Sequence, residues 1–317
     1  MIKDFEGLKR LLVEKAREFG RGCEKVFVAI SGGIDSALVA AILCEAFGAE
    51  NVVGMYRDIR SNPKHLMDAK SLSAKFGFRL VFLDGNPIYE LILRKIKEQF
   101  EALGLSWADE GTPEAEKLGF GGAYESLKSR MTTPLAGFIS KAVDSGKGRI
   151  FGTGNGEEDG LLRYFDKYGD GAVDNNLLAG LTKAEVRQLA RFMGVPIEIV
   201  TKAPSADLRG NGDSHNDEDQ LSGWARNLGF DIRISYGAAD GSSEGNIAWA
   251  WKEDLKFGVI TGMNSQVEEA ELGAVGYSPD QIKTILFLRE IEKTTRHKVF
   301  PIPCVERGTL VAKGLVD

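Results

Sequence analysis

Hydrophobic and polar positions follow two alternating rhythms along the first half of the chain. KVFVAI (25–30) is a short apolar run ending at a glycine-containing turn and predicts a buried strand. ALVAAILCEAF (37–47) is built from good helix formers and is closed by Gly48. VVGMY (52–56) reads again as strand, and from Pro63 to Phe76 the pattern predicts a helix with proline in its first turn and Gly77 at its end. RLVFLD (79–84) predicts a third strand, and PIYELILRKIKEQFEAL (87–103) a longer amphipathic helix. Strand and helix in this succession predict an α/β fold, a parallel sheet with helices on both faces.

Farther along, YESLKSRMTTPLAGFISKAV (124–143) predicts a helix interrupted or kinked near Pro134. RIFGTG (149–154) predicts another buried strand running into a glycine-rich turn. TKAEVRQLARFMG (182–194) carries the marks of an amphipathic helix, with Thr182 as cap, Glu185 completing a capping box and Gly194 as stop. SPDQIKTILFLREIEKT (278–294) opens in the same way on Ser278 and Pro279. Between these helices, from about Gly210 to Glu271, the chain is rich in Gly, Ser, Asn and Asp, with short apolar islands such as IAWAWK and FGVITGM. This stretch reads as a mobile loop followed by an irregular or strand-bearing insert, a candidate lid. Trp249 and Trp251, two positions apart, predict one face of a strand packed in the core or at an interface.

Length and composition set the frame for this pattern. The 317 residues are expected to form a single domain over 1–317, with 210–271 as a loop-rich insert within it. A hydrophobic fraction of 43% with 27% charged residues excludes a disordered or collagen-like chain. The net charge of -6, with no long Lys/Arg block, argues against a broad grip on nucleic acid or on an anionic membrane. Cys23, Cys44 and Cys304 are too scattered for a disulfide framework and form no CxxC pair, which points to a reducing compartment. The N-terminal stretch has no apolar h-region, and no apolar run approaches the roughly 18 residues needed to span a bilayer, so a cytoplasmic protein is expected. His65 and His215 match no motif and read as surface residues.

The strongest chemical signal is AISGGIDSA (29–37), between a predicted strand and a predicted helix. Ser31, Gly32 and Gly33 allow close backbone approach to a phosphate, and the N–H groups of the following helix start favour an anion. Asp35 sets a carboxylate beside that anion, which calls for a bridging divalent cation, and Ser36 offers a hydroxyl. Farther on, Glu157, Glu158 and Asp159 taken alone read as an acidic helix start, and Lys183 as a solvated first-turn lysine.

SGGIDS resembles the phosphate loop of the ATP pyrophosphatase superfamily, which cleaves ATP between its α and β phosphates, and it lacks the GKS/GKT ending of a Walker loop. GTGNGEED (152–159), YFDKYGDGAVD (164–174), LTKAEVRQLA and KAPSADL (202–208), taken in order, resemble the ammonia-dependent NAD synthetase family. The likeness covers roughly residues 5–220 and resumes over 270–303, where TRHK (295–298) matches that family's basic tail. It implies an adenine nucleotide alpha hydrolase-like fold and a ligase that amidates deamido-NAD (nicotinic acid adenine dinucleotide) at the expense of ATP. It assigns Asp35 and Glu158 to Mg2+, and Asp35, Lys183 and Glu158 to the catalytic set. Ser31, Gly32, Gly33, Asp35, Ser36, Arg130, Thr153, Lys183 and Ser205 would line the ATP site. Lys128, Lys167, Asp174, His297 and Lys298 would hold deamido-NAD, whose pyrophosphate and carboxylate call for cations. Asp170, in the GDG turn, would shape its loop. The resemblance further implies a homodimer, and the 30 residues before Ser31 leave no room for a glutaminase domain, so free ammonia is the expected nitrogen donor.

The sequence departs from the family pattern at several points. Asp166 replaces the usual Thr before KYGDG, where a carboxylate near phosphate needs a cation partner. Lys128 stands in place of a substrate-binding Arg, keeping the charge without the bidentate fork. The stretch between Asn155 and Tyr164 is one residue longer than usual, so Glu158 aligns with the metal ligand counted from Thr153 and Asp159 counted back from Tyr164; Glu158 is the reading taken. Two rival readings are a ligase that adenylates a different carboxylic acid and a nucleotide-binding homologue without turnover.

Overall fold

The computed structural model describes residues 1–205, 216–299 and 305–317. Ala206 to Leu208 of the KAPSADL segment, His215 and Cys304 lie outside the described residues. The elements run in order as α1 (Phe5–Phe19), β1 (Val26–Ala29), α2 (Ile34–Phe47), β2 (Val52–Asp58), α3 (Pro63–Phe76), β3 (Arg79–Asp84), α4 (Asn86–Ala102), α5 (Pro113–Lys117), α6 (Phe120–Val143) and β4 (Ile150–Gly152). A π-helical turn (Gly156–Leu162) leads to β5 (Asn175–Asn176), α7 (Lys183–Phe192) and α8 (Ile197–Val200). Then follow α9 (Asp217–Asn227), α10 (Asn246–Phe257), α11 (Glu269–Ala274), α12 (Pro279–Thr295) and α13 (Arg307–Ala312).

The sheet is parallel throughout, in the order β3-β2-β1-β4-β5. Successive residues of a strand face opposite sides, and here both sides are covered. Val26, Val28 and Ile30 pack into one apolar cluster with α1, α2 and α7, whereas Phe27 joins Val53, Met55 and Ala136 of α6 on the other face. Double burial is why these strands read as continuous apolar runs rather than alternating ones. The same logic explains α2, nine of whose residues are buried: it is the central helix of its layer. The chain builds outward from β1 through β2 to β3, then crosses to β4 on the other side of β1. The carboxyl ends of β1 and β4 therefore flank the crevice at which parallel α/β sheets bind ligands.

Of the two alternatives at Pro134, an interruption is ruled out: α6 runs as one helix through it. Residues 210–271, where described, carry three helices, α9, α10 and α11, separated by irregular stretches over 228–245 and 258–268, and the only pairing there is an isolated Gly237–Glu244 bridge. Trp249 and Trp251 lie on a helix, because the apolar stripe is Ile247, Ala250, Trp251 and the buried Asp254, a 3.6-residue period rather than a twofold one. Asp254 fills its place in the stripe by accepting the N–H groups of Ile260 (2.6 Å) and Thr261 (2.9 Å). These helices form a second apolar cluster with α12 and with Leu161 and Leu162 of the π turn. Among the described residues no helix is long and apolar enough to cross a membrane.

Trp251 of this cluster packs against Gly156 at the start of the π turn, where a Cβ would lie 2.0 Å from its Cη2. Only glycine lets the indole reach the start of the π turn. Gly156→Ala is expected to destabilise the protein by about 1–3 kcal/mol through overpacking, measured by chemical denaturation, and Trp251→Phe in the same chain should recover part of the loss.

Candidate active site

A cavity of about 260 Å3 opens at the carboxyl ends of β1, β2 and β4. Ser31, Gly33, Asp35, Thr153, Glu158, Lys183 and Ser205 line it, which brings together residues as far as 174 positions apart in the chain. The phosphate-loop segment folds on itself first: the Ser31 N–H donates to the Ser36 hydroxyl (3.2 Å), the Gly33 N–H donates to the Ser31 hydroxyl (3.2 Å), and the Ser36 hydroxyl donates to the Gly33 carbonyl (3.0 Å). Ser36 is buried and holds the loop from beneath. Gly32 takes φ +78°, and a Cβ there would lie 2.6 Å from the His65 carbonyl oxygen, so glycine is required on both counts. Gly33 caps α2 with no side-chain acceptor, leaving the first-turn N–H groups of the helix to an anion.

At the centre of the cavity wall lies a charge cluster. Lys183 Nζ donates to Asp35 Oδ2 (2.7 Å) and to Glu158 Oε1 (2.8 Å), while Asn155 Nδ2 donates to the other oxygens, Asp35 Oδ1 (3.0 Å) and Glu158 Oε2 (2.6 Å). The ammonium and the amide thus bridge the same two carboxylates. Asn155 is itself fixed as the cap of the π turn, its Oδ1 accepting the N–H groups of Glu157 (3.1 Å) and Glu158 (3.0 Å). Burial raises the pKa of Glu158, and Asp35 adds to the rise, with Lys183 and Asn155 opposing it. Burial pulls the Lys183 ammonium down, but the two carboxylates more than reverse this and the net shift is upward.

A π turn spans Gly156–Leu162, in the stretch between Asn155 and Tyr164 that the sequence reading takes as one residue longer than usual. An i→i+5 turn absorbs one additional residue without breaking the helix on either side. It sends Glu158 to the cavity and leaves Asp159 behind, where its carboxylate accepts from Asn176 Nδ2 (3.1 Å). Glu157 points the other way: fully buried, it accepts the backbone N–H of Lys183 (2.5 Å), and burial pushes its pKa up to about 8. Lys183 is therefore the first residue of a helix capped twice, by Glu157 and by the Thr182–Glu185 capping box.

The remaining expected residues are placed elsewhere. Arg130 is exposed and pairs with Asp166 (2.7 Å), which supplies the cation that the unusual carboxylate needs. Lys128 is buried beneath the cavity wall, paired with Glu110 (2.6 Å) and lying over the Tyr89 ring, and does not line the cavity. Asp174 accepts the N–H of Ile150 (2.7 Å) at the amino ends of β4 and β5, the end of the sheet away from the cavity. Lys167, on the 163–174 loop, meets His297 and Lys298, on the turn after α12: Lys167 Nζ donates to the His297 carbonyl (2.5 Å), and Lys298 Nζ donates to the carbonyls of Arg163 (3.1 Å) and Phe165 (2.7 Å) of that loop. Burial lowers the Lys298 pKa. Asp170 shapes this loop, its Oδ1 accepting from the Ser129 hydroxyl (2.7 Å) and the Asp166 N–H (2.8 Å).

Several cavity residues carry no signal in the sequence reading. His65 is buried and lines the cavity, contrary to its reading as a surface residue, because α3 starts directly over the Gly32 turn. Arg57 enters from the carboxyl end of β2, where strand topology alone could have pointed to it. Lys202, inside the KAPSADL segment, donates to Asp68 Oδ2 (2.7 Å) and to the Gly32 carbonyl (3.2 Å), tying that segment to the phosphate loop. For a divalent cation, the test is the donor set: two carboxylates converging on one ammonium mark a locus that stabilises positive charge, and hard oxygen donors suit Mg2+. Asp35 and Glu158 fit that ion when polyphosphate oxygens complete its shell.

Glu157 makes folding stability depend on pH with a defined sign. Well below the ordinary value of 4.5 its carboxyl is protonated in both states; between 4.5 and about 8 the unfolded chain ionises while the folded one keeps its proton, so stability falls as pH rises through that window. Glu157→Gln keeps an acceptor for the Lys183 N–H and cannot ionise. Its stability relative to the parent protein should rise between about pH 4.5 and 8 and then level off, as read by denaturant titrations across that range.

Against this geometry, the sequence model of the NAD synthase family matches residues 6–224. An NH(3)-dependent NAD(+) synthetase of Methanococcoides burtonii is 36% identical over 204 residues, 64% of this chain and 68% of that protein. One from Methanosarcina mazei is 32% identical over 306 residues, 95% of this chain and 98% of its relative. Among solved structures, the NMN synthetase of Francisella tularensis superposes with a TM-score of 0.63 at 20% identity, covering 95% of this chain and 98% of that one, a likeness of fold. With the family match spanning more than half of its length, the chain belongs to the NAD synthase family.

Proposed function

We propose that the protein is an ammonia-dependent NAD synthetase, a carbon–nitrogen ligase that uses ATP to convert deamido-NAD to NAD. The observation that carries this reading is the Asp35–Lys183–Glu158 cluster set against an SGGIDS loop at the carboxyl end of a parallel strand. A carboxylate is a poor electrophile, so the nicotinate carboxylate of the substrate attacks the α-phosphate of ATP, expelling pyrophosphate and forming an adenylate. Ammonia then attacks the activated carbonyl, loses a proton, and AMP departs.

The chain contributes position and charge. The loop segment 31–36 and the α2 N-terminus receive the phosphates, with Thr153 and Ser205 on the cavity rim. Lys183 places an ammonium where charge builds on the phosphoryl group. Asp35 and Glu158 would hold Mg2+, which when bound neutralises the polyphosphate. Lys167, His297 and Lys298 offer cations for the acid substrate where the 163–174 loop meets the turn after α12; Lys128, paired with Glu110, and Asp174, at the amino end of β5, belong to the same proposal. A homodimer is supported by exposed apolar side chains on the open edge strand and its neighbours, among them Phe82, Leu91 and Phe138. The scattered cysteines support a cytoplasmic setting.

An end-point assay with ATP, Mg2+, deamido-NAD and ammonium tests the reading. Equal amounts of NAD, AMP and pyrophosphate are expected, with Asp35→Ala lowering all three by at least about 100-fold. AMP and pyrophosphate without NAD would count against deamido-NAD as the acid, and ATP binding without cleavage would count against a ligase.

A further inference from the structure

Beyond residue 224, where the match to the family model ends, the chain packs onto two of the three elements that carry the charge cluster, the π turn and α7. Trp251 reaches Gly156 at the start of the π turn. Glu244 accepts from the hydroxyl of Thr182 (3.2 Å), the cap of α7, while Arg187 and Gln188 of α7 donate to the carbonyls of Ala238 (2.9 Å) and Gly241 (2.8 Å). Tyr236 stands between these contacts with no solvent exposure. The Lys183 ammonium lies over its ring, 5.9 Å from the centroid.

Tyr236 is held there by its backbone: its N–H donates to Glu218 Oε1 (2.6 Å), which also accepts from the Ser235 hydroxyl (3.2 Å). Its own hydroxyl is buried and has no hydrogen-bond partner among the described residues. A buried hydroxyl without a partner is a cost rather than an anchor, so the working part of the side chain is the ring. The face of an aromatic ring attracts a cation, more strongly when water is excluded. Two carboxylates that line the cavity hold the Lys183 ammonium, and the Tyr236 ring, which does not line it, lies on the ammonium from outside the cavity wall.

We propose that Tyr236 is a positioning residue for Lys183, its ring forming the rear wall of the ammonium's seat, so that the segment beyond the family match sets the reach of a cavity lysine. The kinetic part of the test rests on the synthetase reading; a second readout does not. NAD formation is measured for the parent protein, Tyr236→Phe and Tyr236→Leu, each checked for folding by denaturation. Tyr236→Leu should lose about tenfold in kcat with KM for deamido-NAD unchanged, and Tyr236→Phe should restore kcat to within about twofold. In parallel, 13C-labelled lysine is followed by NMR, the Lys183 signal being assigned through Lys183→Arg. An upfield ring-current shift is expected in the parent protein and in Tyr236→Phe, and its loss in Tyr236→Leu.

Parent-like kcat in Tyr236→Leu, or a Phe variant as impaired as the Leu variant, would overturn the proposal. Should the Leu variant fail to fold, an unshifted Lys183 signal in the parent and Phe proteins would overturn it as well. If the parent protein makes no NAD, the functional reading falls, and the NMR comparison still decides the role of the ring.

Discussion

The site depends on one ammonium shared by two carboxylates. Asp35, Glu158 and Lys183 come from three separate segments, and none of the three tolerates its position alone: a buried charge without its partner costs several kcal/mol. Held together by contacts of 2.7 and 2.8 Å, the three groups offset one another and lock the phosphate loop, the π turn and the start of α7 into one arrangement. Asn155 repeats the bridge from the other side, so losing any single bond still leaves the carboxylates tied. The same arrangement gives the cavity its chemistry, a cation seat beside helix N–H groups that favour phosphate.

Everything behind the cluster keeps that arrangement in register. Glu157 and the Thr182–Glu185 box fix the first turn of α7, and the helices after residue 216 brace the π turn and α7 together. In this bracing Trp251, Tyr236 and Ile247 are buried in a shared apolar cluster with α12. Lys202 performs a related service in front, joining the 201–205 segment to Gly32 and Asp68.

The strands, the capped helices and the phosphate loop were legible in the sequence because each rests on local rules: apolar runs, a capping box at Thr182, proline at a helix start, glycine at its end. Asp35, Glu158, Lys183, Thr153 and Ser205 could be read from motifs, and the structure brings all five to one cavity. What could not be read depends on tertiary context. His65 owes its burial to the Gly32 turn beneath it, and the helical stripe of α10 was hidden because its fourth member is Asp254, a polar residue satisfied only by the following loop. The stretch before Tyr164 left Glu158 and Asp159 as alternatives, and a π turn that no propensity rule predicts is what puts Glu158 on the cavity wall.

The most direct test of the central interaction is the stability of Lys183→Met as a function of pH. Without the ammonium, Asp35 and Glu158 face each other with only Asn155 between them. The account predicts a loss of about 3–5 kcal/mol at neutral pH that shrinks on acidification, as one carboxylate takes up a proton. A variant as stable as the parent protein at every pH, or one whose loss does not change with pH, would contradict it.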